Sequence, residues 1–403
     1  MIKSCVGVLL AVALLGCNSD SPPGAAVTQD VTLPDSTLTR MPKLSLMRAG
    51  DSFILAGYDS GWVRWGHLSL DGQTLTEEAG FPLAPPIVGP VFGATKKTVA
   101  GDQLVAVVVT DSATTSGGYD VSAIVQTVGA TAFAAPVKLG DSLPVGTDRN
   151  AVQIAAGVAT SGNIGFAAWG TRSHGVSPTY LLLPADATAT ATPSAMLPVP
   201  VPDWDCLATA NGTTGLGFSV MTPDAPPTSD LNTVEIDEAG ATTSMRYQFR
   251  VAVANCQVVG SPGPGGTYLM ALQTSNAIDF ATYYPDPSAP SGGGSVDTQD
   301  PVLSASNFGD PMSMPRPAWV SPAAGGDVSI GLERTAGPQV YRYSFNAVPH
   351  GSPLTLRSEV GQTGPVASWV GPGATYVTYT DQTKSGLPAV KRYFMRVESP
   401  ALP

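Results

Sequence analysis

The stretch Ser52-Phe53-Ile54-Leu55-Ala56 follows the turn dipeptide Gly50-Asp51 and is the clearest of a set of short apolar segments that recur along the chain. A short apolar run beside a Gly-containing turn is typical of a buried β-strand. The counterparts of this stretch are Gln103-Leu104-Val105-Ala106-Val107, Ile164-Gly165-Phe166-Ala167-Ala168, Leu216-Gly217-Phe218-Ser219-Val220, Tyr268-Leu269-Met270-Ala271-Leu272, Val328-Ser329-Ile330-Gly331-Leu332 and Thr375-Tyr376-Val377-Thr378-Tyr379. The sequence therefore contains seven copies of one unit.

The spacing of the copies indicates the kind of repeat. Measured between Phe53, Leu104, Ile164, Leu216, Tyr268, Val328 and Thr375, the steps are 51, 60, 52, 52, 60 and 47 residues. Such steps fit the four-stranded blade of a β-propeller with loop insertions. The turn before the marked strand also recurs, as Gly50-Asp51, Gly101-Asp102, Gly162-Asn163 and Gly326-Asp327, and this is the chemistry of a tight hairpin.

These patterns predict an all-β chain that forms a single β-propeller, with seven four-stranded blades as the expected number. A six- or eight-bladed ring and two tandem β-sandwiches are the alternatives. Because the ring must close, we expect a strand near residues 30–40 to join the last repeat at residues 390–397. The Pro- and Gly-rich residues 285–300 are predicted to be a disordered insertion.

The amino terminus has the three zones of an export signal. Lys3 supplies a positive charge, residues 6–15 are almost wholly apolar, and Gly16 precedes Cys17. The apolar run is too short for a transmembrane helix, which needs about 20 residues. We therefore expect residues 1–16 to be a signal peptide, residues 17–38 a flexible linker and residues 39–403 the propeller domain.

The segment Leu14-Leu15-Gly16-Cys17 resembles the bacterial lipobox. The resemblance implies that the Cys17 thiol carries a diacylglyceryl group, that the chain is cut before Cys17, and that the new amino end is acylated. Two or three acyl chains give firm anchoring. Because Asn18 stands where the common inner-membrane retention signal has Asp, the outer membrane is favoured within the cell envelope, and the leaflet stays open.

The charge balance limits the classes of partner. A formal net charge of -11 with only 20 Lys and Arg residues argues against nucleic-acid binding, because neutralising phosphates needs clustered cations. The membrane is reached through the lipid, and an envelope protein or a glycan is the expected partner. Over residues 40–400 the chain resembles bacterial β-propeller lipoproteins.

Cysteine usage predicts one disulfide. Cys5 leaves with the signal and Cys17 is lipidated, so Cys206 and Cys256 remain. Two leftover cysteines in an exported chain usually pair. Each lies 12 residues before an aromatic residue of a marked strand, Phe218 or Tyr268, so we expect the bond to join neighbouring units.

Catalytic, metal and cofactor signatures do not occur in the sequence. The three histidines have no metal-ligand spacing, and neither a Gly-x-Ser-x-Gly motif nor a phosphate-binding loop is present. Several carboxylates stand beside Gly and are predicted to shape turns. We therefore assign no catalytic residue, no metal site and no cofactor. The histidines are His67, His174 and His350, and the turn carboxylates are Asp51, Asp71, Asp102 and Asp327.

Tryptophans provide the remaining candidates. Residues 58–65 are similar to the Asp-box of sialidase-type propellers but depart from it at two positions, so Trp62 and Trp65 are expected to cover blade surfaces. Trp319 and Trp369 occupy matching positions and are expected to pack between blades. Asp203, Trp204 and Asp205 form a candidate platform for a sugar or peptide at the channel mouth.

The predicted function is a membrane-anchored, non-enzymatic binding or scaffold lipoprotein that presents propeller loops to a peptide, glycan or protein. The alternative is a carbohydrate-active hydrolase or lyase, whose carboxylates would converge at the channel mouth at about 5 to 9.5 Å separation.

Overall fold

The computed structural model is built of β-strands joined by turns, and its described part contains no helix. The described residues are the strands given below together with residues 33–41, 50–51, 61, 70–74, 78–80, 83, 338, 352–353, 356 and 366. Within that part, no helix is long and apolar enough to cross a membrane.

The described strands, numbered in chain order, form seven antiparallel sheets. Sheet 1 contains β2 (Leu44–Ala49), β3 (Ser52–Asp59), β4 (Trp62–Ser69), β5 (Leu75–Glu77) and β6 (Phe81–Pro82). Sheet 2 contains β7 (Val88–Ala94), β8 (Gln103–Asp111), β9 (Tyr119–Thr127) and β10 (Val137–Lys138). Sheet 3 contains β11 (Val152–Val158), β12 (Ile164–Gly170) and β13 (Thr179–Leu183). Sheet 4 contains β14 (Cys206–Asn211), β15 (Gly215–Pro223), β16 (Ser229–Asp237) and β17 (Thr242–Phe249).

The remaining sheets complete the chain. Sheet 5 contains β18 (Val253–Gly260), β19 (Tyr268–Thr274), β20 (Ala277–Pro285), β21 (Gly294–Thr298) and β22 (Leu303–Ser304). Sheet 6 contains β23 (Arg316–Ala323), β24 (Asp327–Glu333), β25 (Gln339–Tyr343) and β26 (Leu354–Thr355). Sheet 7 contains β27 (Ala367–Gly371), β28 (Ala374–Asp381), β29 (Lys391–Glu398) and, as its outermost strand, β1 (Ala26–Thr32).

The sheets surround one axis. The innermost strands β2, β7, β11, β14, β18, β23 and β27 each contact the next, and β27 contacts β2 again. This cyclic order is that of a propeller, so the prediction of an all-β propeller is confirmed. The seven apolar copies in the sequence are the second strands of the seven sheets, β3, β8, β12, β15, β19, β24 and β28.

Ring closure uses a strand that starts earlier than expected. β1 pairs with β29 from Ala26 opposite Glu398 to Thr32 opposite Tyr393. The closing strand was expected near residues 30–40 and instead spans Ala26–Thr32, so the folded ring already includes Ala26. The polar sequence of β1 explains the error, because an edge strand with one solvent-facing side needs few apolar residues.

The insertion predicted to be disordered contains a strand. β21 lies inside residues 285–300 and pairs with β20, with Tyr283 opposite Val296. Val296 is the kind of β-branched residue that a paired strand favours. Composition alone missed this pairing because the surrounding Pro and Gly residues dominate the local signal.

A buried arginine links β29 to the segment between β1 and β2. Arg392 on β29 donates hydrogen bonds to the carbonyl oxygens of Thr39 at 3.1 Å and Met41 at 2.8 Å, in the connection from β1 to β2. Burial lowers its pKa to about 10, so the guanidinium is still charged at neutral pH. The Arg392 carbonyl accepts a further bond from the Leu33 N–H at 2.9 Å. Arg392 thus links sheet 7 to the segment that leads into sheet 1.

The core lies between sheets, and β3 has two buried faces. Phe53 and Leu55 pack toward sheet 7 with Phe394, whereas Ile54 and Ala56 pack toward sheet 2. Because neighbouring strand positions point to opposite faces, a strand buried on both sides reads as a continuous apolar run. Each fully buried aliphatic or aromatic side chain of this kind contributes about 1.5 to 3 kcal/mol.

Trp319 fills the space between sheets 6 and 7, as predicted from the sequence. It is 2% exposed and packs with Val377 and Tyr393. The ring lies flat on Gly331 of the adjacent strand, where an added Cβ would come within 2.1 Å of the indole. Trp369 is partly buried in the equivalent layer between sheets 7 and 1, so its predicted packing is confirmed as well.

We expect Val31→Pro to destabilise the protein by about 2 kcal/mol or more, whereas Thr32→Pro has a small effect. Antiparallel partners exchange hydrogen bonds at alternate residues. Because the Leu33 N–H bonds to Arg392, the Val31 N–H also faces β29 and the Thr32 N–H faces away. Proline removes the donor at either position. Denaturant unfolding measures both variants, and equal losses would contradict the closure described here.

The disulfide remains a prediction, since nothing is described of the two cysteine side chains. Cys206 begins β14 and Cys256 lies in β18, and these innermost strands contact each other. Cys206 lies five positions before the last paired residue of its strand, Asn211, and Cys256 lies four before Gly260. Counted from the ends of their strands, one cysteine therefore lies at an odd position and the other at an even position. Alternate positions of a strand lie on opposite sides of its sheet, and a bond between two neighbouring sheets requires positions on opposite sides.

Peptide mapping without reduction is expected to recover a linked peptide containing Cys206 and Cys256. Closure of a loop of about 50 residues contributes about 4 kcal/mol in the chain-entropy model, so Cys206→Ser should lower the unfolding free energy. Recovery of both residues as free thiols from the untreated protein would exclude the bond.

Candidate binding face

The strand ends define two faces of the ring. We call the face that carries the β2–β3 turn at residues 50–51 the turn face, and the opposite one, with the β3–β4 turn at Gly61, the Trp62 face. Ser52 pairs with Ser69, and Asp59 pairs with Trp62, so β4 runs from the Trp62 face to the turn face.

The turn face is built from short Gly-containing turns. Gly50 has a φ of 54°, which is the positive value that the repeated Gly dipeptide predicts. At the next turn the Ser69 hydroxyl and the Gln73 N–H donate to the Asp71 carboxylate, and these bonds lower the pKa of Asp71. Asp71 therefore shapes a turn, as predicted, and exposed Asp51 lies in the neighbouring turn. Asp327 begins β24.

Trp62 is the most exposed large apolar side chain in the described part of the chain. Its exposed fraction is 43%. It is held at the start of β4 between Asp59 on one side and Pro82 on the other. The hairpin is closed by Gly61, whose φ is 86° and whose carbonyl accepts a 2.7 Å hydrogen bond from the Leu83 N–H.

The Trp62 ring has a cation and a glycine beside it. The guanidinium carbon of Arg64 lies 5.9 Å from the ring centroid, within the range of a cation–π contact. A Cβ added at Gly80 would lie 3.7 Å from the ring and 3.0 Å from the Val63 carbonyl oxygen. The absence of a side chain at Gly80 therefore lets its segment lie close to the Val63 backbone, next to the indole.

Partly buried apolar side chains flank the β3–β4 hairpin. Tyr58, Phe81 and Leu83 pack against the core cluster between sheets 1 and 2. Burial raises the pKa of Tyr58, and the nearby Asp59 charge adds to that shift while a hydrogen bond with the Gly61 backbone opposes it. The phenol is therefore neutral at physiological pH. A flat aromatic face next to a cation can stack on a sugar ring, an aromatic group or a peptide.

The two tryptophans of the Asp-box-like segment have different environments. Trp65 is 1% exposed inside the cluster between sheets 1 and 2, with its ring edge-on to His67. The expectation that both tryptophans pack over blade surfaces is thus confirmed for Trp65, which lies between two sheets. It is wrong for Trp62, whose side chain is exposed. The odd spacing of the pair already predicts opposite faces of the strand, but only the position of Trp62 at a turn leaves it exposed.

His67 occupies a structural position. Its Nδ1 lies 3.3 Å from the Ser52 hydroxyl, and its Nε2 lies 3.9 Å from a Glu78 carboxylate oxygen. No group of three or more potential metal ligands occurs among the residues that the structure describes. His67 bridges two strands of sheet 1 in this arrangement.

Several predicted site residues lie outside the described residues. These are the lipidation site Cys17, the proposed platform Asp203, Trp204 and Asp205, the turn residue Asp102, and His174 and His350. Their roles stay predictions. The binding candidate that the structure does place, Trp62 with Arg64, was not selected from the sequence.

Solved structures of similar shape are β-propellers. The β-propeller domain of Nup133 from Vanderwaltozyma polyspora matches with a TM-score of 0.54 at 9% identity, covering 91% of this chain and 100% of that one. The polysaccharide lyase Uly1 matches with a TM-score of 0.53 at 9% identity, covering 94% and 100%. No family model and no curated protein sequence matches. At such identities the likeness establishes the propeller fold.

Trp62→Ala is expected to cost about 1 to 2 kcal/mol of unfolding free energy, for the half of the side chain that is buried and its contact with Arg64, whereas Trp65→Ala costs about 3 to 5 kcal/mol. The reason is that only Trp65 fills space between sheets. Thermal or denaturant unfolding of both variants measures the difference. Acrylamide quenching of the parent should also fall when Trp62 is removed, and an unchanged quenching constant would place Trp62 in the interior.

Proposed function

We propose that the protein is a membrane-anchored, non-enzymatic binding or scaffold lipoprotein of the cell envelope, and that its partner contacts the Trp62 face. The single observation that carries the binding part is Trp62 itself, a 43% exposed tryptophan held beside Arg64 on a closed hairpin. The anchoring part rests on the lipobox-like segment that ends at Cys17.

The geometry favours binding because the Trp62 side chain is already held in an exposed position. Tryptophan and arginine are over-represented among the residues that dominate binding energy. A side chain held by a paired strand loses little conformational freedom when a partner arrives. An exposed tryptophan also leaves apolar surface in water, and a partner that covers it recovers that free energy.

A glycan is the partner that we put first. Stacking of a sugar ring on Trp62 would use the exposed indole face, and Arg64 would donate hydrogen bonds to hydroxyl or carboxylate groups. The fold is compatible with such a ligand, since the structurally similar Uly1 is a polysaccharide lyase. Fold alone does not assign function, so Trp62 and Arg64 carry the proposal.

Cys17→Ser is expected to move the protein from the membrane fraction to the soluble fraction without changing its melting temperature. The substituted residue loses the acyl chains, while the ring begins at Ala26. Carbonate-washed membranes and unfolding curves of both proteins provide the measurement. A Cys17→Ser protein that stays with the washed membranes would refute the anchoring part of the proposal.

Trp62→Ala is expected to reduce partner recovery about tenfold or more, as for a hot-spot residue worth 1.4 kcal/mol or above. Binding is measured with envelope polysaccharides and by pull-down from the native envelope. Leu70→Ala is the matched control, because Leu70 is also an exposed apolar residue, at 37%, but lies on the turn face.

Equal loss in both variants, or no loss in either, would refute a partner site at Trp62. Release of shortened or unsaturated oligosaccharides by the untreated protein would replace the binding function with the hydrolase or lyase alternative.

A further inference from the structure

The start of β1 shows where the amino-terminal segment leaves the ring. Ala26 pairs with Glu398, and Glu398 pairs with Ala374, the first residue of β28. Because β28 is the counterpart of β3, which begins beside the β2–β3 turn, β1 begins at the turn face. A hydrogen bond of 3.4 Å from the Gln29 side chain to the Leu70 carbonyl brings β1 next to the β4–β5 turn of sheet 1.

The reach of the segment between the lipid and the ring is short. Eight residues lie between Cys17 and Ala26, and whatever their conformation the nine steps from Cys17 to Ala26 span at most about 32 Å at 3.3 to 3.6 Å per residue. From this geometry, and resting on the proposed anchoring at Cys17, we infer that the lipid surface is the partner of the turn face and that the Trp62 face points away from the bilayer.

The acidic side chains of the turn face indicate that the lipid tether, and not charge attraction to the membrane, holds this face near the bilayer. Asp51 and Asp71 are exposed there, and acidic groups are not drawn to anionic lipid. Leu70, 37% exposed, is the apolar side chain at the same turn. The acyl chains therefore supply the attraction, and the exit point of β1 sets which face is near the bilayer.

The length of β4 gives the distance between the turn face and the Trp62 face. Trp62 is the first residue of β4 and Leu70 follows its last residue, so the two Cα atoms lie up to about 26 Å apart at 3.3 Å per residue. A partner that binds Trp62 must then approach from the aqueous side. A component that lies entirely within the bilayer would not reach it.

Energy transfer to labelled lipid tests the inference. The lipidated protein carrying Leu70→Cys or Trp62→Cys is labelled with a thiol-reactive donor and reconstituted into phosphatidylethanolamine–phosphatidylglycerol vesicles that contain rhodamine-labelled lipid. The same labelling of the parent protein gives the background from its own cysteines. We expect transfer from position 70 to exceed transfer from position 62 by about twofold or more, given the separation of up to about 26 Å between the two positions.

The outcomes separate this inference from the proposed anchoring. Equal transfer from the two positions, or stronger transfer from position 62, in protein that floats with the vesicles would overturn the orientation while leaving the anchor intact. Protein that does not float with the vesicles would instead refute the anchoring, and the orientation with it. Greater transfer from position 70 that disappears with Cys17→Ser supports both.

Discussion

The pairing of β1 with β29 is the interaction on which the ring depends. It joins the two ends of the described chain, and the Arg392 bond to Thr39 links positions 353 residues apart. Without β1, β29 would expose a row of unpaired backbone groups. The connection that follows β1 supplies Leu33, Leu38 and Met41 to the core between sheets 7 and 1. Closure therefore provides both the last strand and part of the first interface.

A closed ring also determines where function can reside. Because every sheet packs against two neighbours, as β3 does in sheet 1, side chains in the middle of inner strands are used for packing. Polar and aromatic groups become accessible at strand ends and turns. Trp62 and Trp65 illustrate the rule, since they are three residues apart on one strand and only the one at the turn is exposed. The positions of binding groups thus follow from strand ends.

Much of the fold could be predicted from local sequence, because a strand buried on both faces leaves a continuous apolar run and its turn requires Gly. Phe53 to Ala56 and Gly50 gave such signals. The closing strand did not, since β1 is polar and its pairing with Tyr393 and Glu398 is non-local. The same limit applies to Trp62: its residue type and spacing are visible in the sequence, but its exposure depends on how the β3–β4 turn lies beside Pro82.

Residue-resolved hydrogen exchange on β29 tests the closed ring most directly. Neighbouring amides on this strand point to opposite sides, so the Phe394 N–H faces Val31 of β1 while the Met395 N–H faces Val377 of β28. If β1 closes the ring, both amides exchange slowly and at similar rates. Rapid exchange at Phe394 together with slow exchange at Met395 would mean that β29 is an open edge, and would contradict the account.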